Sequence, residues 1–169
     1  VALATSTGDP DFEPEPFAEE EHQQLVQRLR SRATHVLEFV RDNLGRFPDE
    51  YLEETGLVLG LRRRIHARLA DLQSADLSFH KIRIHGDYHL GQVLRVKQDY
   101  VIIDFEGDSS LPIEDRRARQ IALKDVAGMI SSFGYAVSSA LFSYTARRPD
   151  VGRNLDPCAH AWERIVTGS

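Results

Sequence analysis

The sequence predicts an α+β fold that is mostly helical, with one small β-hairpin set between helices. Two observations carry that prediction. Apolar residues recur at three- and four-residue steps through most of the chain after Phe17. Between Lys81 and Asp104 the period drops to two, with a turn signal in the middle.

Composition bounds what such a chain does. With 169 residues, 41% of them hydrophobic, it can build one domain with a core. Its formal charge of -5 is uneven: residues 1–21 hold seven acids and no Lys or Arg, leaving 19 acids against 21 bases elsewhere. That balance excludes the strongly basic stripe of a nucleic-acid binder, so no nucleic-acid partner is expected. The single Cys158 excludes an intramolecular disulfide, suits a reducing compartment, and has no neighbour in sequence that would poise it as a nucleophile. No apolar run approaches membrane-spanning length and the start shows no signal-peptide pattern. The expectation is a cytoplasmic protein with no membrane partner.

The elements follow in order. Residues 1–16 contain three Pro, one Gly and several acids without periodicity, and read as a linker. The helical pattern begins at Phe17, and the acidic run Glu19–Glu21 suits the positive end of a helix dipole. It carries an apolar stripe of Leu25, Leu29, Ala33, Val36, Leu37, Val40 and Leu44, and stops near Gly45 and Pro48. A second helix is predicted from Asp49 to Gln73, burying Leu52, Val58, Leu61, Ile65, Leu69 and Leu72. Its run Arg62-Arg63-Arg64 reads as a solvated face. Lys81–Ile84 is a short strand, Gln92–Val96 another, and Lys97-Gln98-Asp99 turns the chain into a buried strand ending at Asp104. Helices resume over Ile113–Arg119 and Leu123–Thr145. After a loop at Arg147–Gly152, a last amphipathic helix runs from Leu155 to Val166.

The chemistry is concentrated in Ile84-His85-Gly86-Asp87-Tyr88-His89-Leu90-Gly91-Gln92 and Asp104-Phe105-Glu106-Gly107. Gly86 permits a tight turn, and Asp87 beside it is placed to accept a hydroxyl proton. Gln92 and Asp104 offer hard oxygen donors of the kind Mg²⁺ takes while keeping phosphate oxygens for its other positions. One acid, one carboxamide and a second acid at the next strand end are the parts that phosphoryl transfer needs. His85 and His89 form an H-x₃-H pair that admits a zinc reading. Flanking strands and the glycines at 86 and 91 prevent the helical alignment such a pair requires, so both histidines are expected to brace the loop. Gly56-Leu57-Val58-Leu59-Gly60 lies in a helical pattern and lacks the spacing of a phosphate loop.

The loop with its following acid resembles the aminoglycoside phosphotransferase-like kinases, whose pattern is HGDxHxxN and then a metal-binding Asp. Gln92 in place of Asn, the run Phe105-Glu106-Gly107, the segment Lys124–Phe133 and Ala161-Trp162-Glu163-Arg164 narrow the likeness to maltokinases, including the form fused behind a trehalose synthase. The resemblance implies the larger, C-terminal catalytic lobe of a protein-kinase-like fold, with the N-terminal ATP-binding lobe absent. Residues 1–16 would link to that missing upstream lobe, and residues 17–169 would be the helical catalytic lobe, with catalytic loop and hairpin at 82–107, truncated at its C-terminus. It implies Asp87 as catalytic base, Gln92 and Asp104 as Mg²⁺ ligands, and ATP and Mg²⁺ as cofactors. Maltose or a similar small sugar would be the acceptor, giving maltose 1-phosphate, and the isolated fragment would be inactive. His85, His89, Glu106 and Asp125 would touch sugar hydroxyls or brace the loop. Arg116, Arg117, Arg119 and Lys124 would offset phosphate charge or form a solvated face. Two other readings keep the residues but change the role: another alcohol acceptor (an aminoglycoside, choline or homoserine), or a non-catalytic module that docks a partner through the acidic first segment.

Overall fold

Helices dominate, as the apolar period predicts, and the strands are short. The structure, a computed structural model, describes residues 8–75, 78–148 and 152–168. The chain divides into two units, one of Pro16–Phe79 and one of Val1–Glu15 with His80–Ser169. Short strands mark both passages: β1 (Glu15–Pro16) ends the first segment and β2 (His80–Lys81) opens the return.

The unit Pro16–Phe79 is built on three helices. In α1 (Glu19–Asp42) the carboxylate of Glu21 accepts the Ala18 N–H at 3.0 Å, which helps to start the helix. Its end is closed by Asn43, whose backbone N–H and side-chain amide both donate to the Phe39 carbonyl, at 3.1 and 2.8 Å. The single helix expected over 49–73 is broken at Leu61 into α2 (Leu52–Gly60) and α3 (Arg62–Ser74). Gly56 and Gly60 weaken the helix there, and Leu61, at ψ -7°, shares its N–H between the carbonyls of Leu57 and Val58. Val26 and Leu37 are buried on α1, and buried His22 donates from Nε2 to the Leu72 carbonyl at 2.9 Å, tying α1 to the last turn of α3. Leu52, Val58 and Leu61, expected in the core, are exposed, as are Leu29 and Val36. Three helices offer too little facing surface to cover every apolar side chain. Arg62, Arg63 and Arg64 are exposed, as expected of a solvated face.

In the other unit the strand expected over Lys81–Ile84 shortens to β2 and one bridge, Ile82 to Gln120, with both N–H···O distances 3.0 Å. Beyond it, Arg83 donates to the Arg117 carbonyl at 2.7 Å and the chain turns inward at buried Ile84. The hairpin forms as expected from β3 (Val93–Val96) and β4 (Asp99–Ile102), pairing Val93 with Ile102 and Val96 with Asp99. Lys97 at its turn has φ 59°. Gln92, expected to open β3, closes a 3₁₀ turn over Leu90–Gln92 instead. β4 is not the buried strand expected: Tyr100 is 66% exposed, since two four-residue strands bury little without a layer stacked on them.

Three helices follow: α4 (Ile113–Arg117), α5 (Leu123–Thr145) and α6 (Gly152–Thr167). The middle of the loop expected at 147–152 lies outside the described residues, as do residues 1–7 of the expected linker. From Pro10 to Glu15 that segment is held by Arg119, which donates to the Glu15 carboxylate and the Pro10 carbonyl, and Lys81 Nζ lies 3.3 Å from the same carboxylate. Contrary to the sequence expectation, α5 is long and apolar enough to cross a membrane by length and composition, with a mean hydropathy of 1.3. Its serines and glycines interrupt strong apolar runs yet dilute hydropathy little. Leu37→Ala is expected to lower the unfolding free energy by about 2–4 kcal/mol. Leu57→Ala, at a 67% exposed site, should change it by less than about 0.5 kcal/mol in the same urea titration.

Candidate active site

The segment 84–92 runs from one buried anchor to another: Ile84 and His85 at its start, Gln92 at its end. Between them Gly86 takes φ 85°, a backbone state that disfavours any residue with a Cβ. A Cβ there would also lie 3.6 Å from the Gly107 Cα. Gly107, at φ 77°, has the His85 carbonyl 3.4 Å from its own missing Cβ. Two glycine backbones thus touch, and that contact lays the 104–107 loop against the turn that carries Asp87. The sequence reading gave Gly107 no role, although its spacing from Asp104 was visible.

Asp125, in the first turn of α5, holds this turn in place. Its two carboxylate oxygens accept the N–H groups of His85, at 2.7 Å, and Gly86, at 2.9 Å. His85 Nε2 lies 2.8 Å from the Ile103 carbonyl, which can only accept, so the ring proton is on Nε2. Nδ1 is then bare and receives the Asp87 N–H at 3.4 Å. Tyr88 and Phe105 flank the imidazole, with ring centroids at 5.4 and 5.1 Å. With both nitrogens engaged, His85 has no lone pair left for zinc. Among the described residues no group of three or more His, Cys, Asp or Glu could hold a metal ion.

Asp87 and His89 project into the open, their side chains 45% and 42% exposed, with Asp87 Oδ2 3.8 Å from His89 Nε2. His89 Nδ1 accepts the Gly91 N–H at 3.0 Å, capping the 3₁₀ turn. Gln92 reaches across to two successive residues: its backbone carbonyl accepts the Ile103 N–H at 3.0 Å, and its side-chain amide donates to Asp104 Oδ2 at 3.0 Å. Asp104 itself has φ 65°, a left-handed conformation that costs a non-glycine residue on the order of 1 kcal/mol and tends to be held at functional sites. The carboxamide and carboxylate therefore share one place, and as hard oxygen donors they suit a divalent cation that takes few protein ligands.

The remaining expected residues divide. Glu106 is exposed, and its carbonyl receives Arg116 Nη1 at 3.4 Å. Arg119 is committed to Glu15 and Pro10, and so does not fill the phosphate-offsetting role open to it in the sequence reading. Arg117 and Lys124 are exposed. The Ser110 hydroxyl and N–H hold the Asp108 carboxyl below the usual carboxylate range, with Lys124 and Arg116 adding to the effect, so positive charge does gather beside this loop.

A mostly helical fold, a Gly-Asp turn, and an acid loop laid against it are features of a kinase-like fold. The chain belongs to the phosphotransferase enzyme family (APH), whose pattern matches residues 6–110. It is 42% identical over 82 residues to a glucosamine kinase of Streptacidiphilus jiangxiensis, a match covering 48% of this chain and 17% of that protein. Against a glucosamine kinase of Mycolicibacterium smegmatis it is 41% identical over 75 residues, covering 44% and 18%. The solved structure of a glucosamine kinase in complex with glucosamine, ADP and inorganic phosphate superposes on 92% of this chain with TM-score 0.63 and 28% identity, over 34% of its own length. These relatives are sugar kinases, as the sequence pattern implied, but they are named for glucosamine and not for maltose. Asp125→Ala should destabilise the protein by about 2–4 kcal/mol, since two part-buried N–H groups lose a charged acceptor. Asp125→Asn, which keeps one oxygen, should lose roughly half of that in the same denaturation assay.

Proposed function

We propose that this chain supplies the catalytic loop of an ATP-dependent sugar kinase, and that the activity belongs to the full-length protein. The observation that carries the reading is the meeting of Gln92 and Asp104 beside the turn that presents Asp87. Asp87 accepts the proton of the acceptor hydroxyl as that oxygen attacks the γ-phosphorus, and ADP leaves. His89 Nε2 stands 3.8 Å from the Asp87 carboxylate. Gln92 and Asp104 would hold Mg²⁺, which would neutralise charge on the transferring phosphates. Arg116 and Lys124 add positive charge near the same loop.

For the acceptor, the glucosamine kinase relatives favour glucosamine. A mostly apolar groove runs from His89 along α5, with Ser131, Tyr135 and Ser139 among the residues that line it. Maltose is the second reading, favoured by Gln92 and the run Asp104-Phe105-Glu106-Gly107. With that reading goes fusion to a trehalose synthase domain.

The test presents full-length protein, ATP and Mg²⁺ with glucosamine, maltose, an aminoglycoside and choline. Sugar-dependent ADP release is expected, with glucosamine the best acceptor. Asp87→Asn should lower kcat by about 10²–10⁴-fold, and chelation should abolish turnover until Mg²⁺ is restored. An aminoglycoside or choline preference would move the acceptor class. Unchanged turnover in Asp87→Asn would remove Asp87 from the chemistry, and no ADP release with any acceptor would favour the non-catalytic docking role.

A further inference from the structure

The loop that carries Asp87 touches α5 at three places, and only one of them involves Asp125. At Gly128 the helix backbone and the loop backbone meet: a Cβ on Gly128 would lie 2.7 Å from the Tyr88 carbonyl oxygen. At Ser132 the hydroxyl accepts the Leu90 N–H at 3.1 Å while donating to the Met129 carbonyl at 2.7 Å. Residues 125, 128 and 132 fall at i, i+3 and i+7, on one face of a helix. They meet the loop at His85 and Gly86, then Tyr88, then Leu90. The helix thus fixes every second residue from 86 to 90.

Between those fixed points stand Asp87 and His89, whose side chains are about half exposed and lie 3.8 Å apart. Gly128 is not required by helix conformation, where alanine has the better propensity. It is required by the carbonyl that fills the place of its Cβ.

We propose that Gly128 and Ser132 are positioning residues: α5 is a template that registers the loop backbone and thereby aims Asp87 and His89. The kinetic consequence rests on the sugar-kinase reading, whereas the structural consequence does not. The experiment uses the full-length protein carrying Gly128→Ala, Ser132→Ala, Ser132→Thr, or Ser138→Ala as an exposed control on the same helix. Amide hydrogen exchange of a peptide spanning 85–92 should rise about tenfold in Gly128→Ala and Ser132→Ala, and remain near wild type in Ser132→Thr and Ser138→Ala. With glucosamine and ATP, kcat should fall by about 10²-fold in the first two, as expected for a misaimed general base. KM for both substrates should stay within about twofold. Threonine retains an accepting hydroxyl and should restore most of the rate. Wild-type exchange over 85–92 in Ser132→Ala, or a loss carried by KM instead of kcat, would overturn the proposal. If Gly128→Ala does not fold, Ser132→Ala and its threonine rescue decide the matter. If the wild-type protein phosphorylates no acceptor, the kinase reading falls and the exchange result alone decides the positioning role.

Discussion

One carboxylate holding two consecutive backbone amides is the constraint on which the rest of the site depends. The N–H groups of His85 and Gly86 both point to Asp125, which receives the two of them, and the chain then turns at Gly86 with φ 85°. Each amide is partly shielded from water, and a buried one left unsatisfied would cost about 1–3 kcal/mol. With the turn held, Asp87 projects, the His85 ring reaches Ile103, and Gly107 can approach Gly86. Without it, none of those contacts has a fixed partner.

The second acid is placed by a different balance. Asp104 sits in a backbone conformation that its own side chain disfavours. The Ile103 N–H bond to the Gln92 carbonyl and the side-chain bond from Gln92 to Asp104 offset that strain on either side of the peptide. Strain of this kind persists where neighbouring contacts over-determine the geometry. Gln92, itself buried, supplies those contacts and a donor oxygen of its own.

The helix behind the loop shows why composition and role part company. By length and hydropathy α5 passes for a membrane span. Yet the carboxylate of Asp125 and the hydroxyl of Ser132 are both spent on loop amides, and Gly128 is in close contact with a loop carbonyl. A charged side chain facing lipid would be expensive; here it has two donors within 2.9 Å. The apolar character of the helix and its polar grip on the loop occupy the same 23 residues.

Local pattern alone determined α1, α5, the hairpin and the identity of the loop, because each is written in a window shorter than one helix or one turn. Period 3.6 shows in adjacent turns, and a Gly-Asp step beside a period-two run needs no distant partner to be recognised. Tertiary structure decided the rest. The break at Leu61, the short β2 and the exposure of Tyr100 depend on what lies opposite each element. The bonds that aim the loop join residues 39 to 42 apart in sequence. No periodicity reports such a pairing: which amide a carboxylate will accept is settled only when the folded chain brings them within about 3 Å.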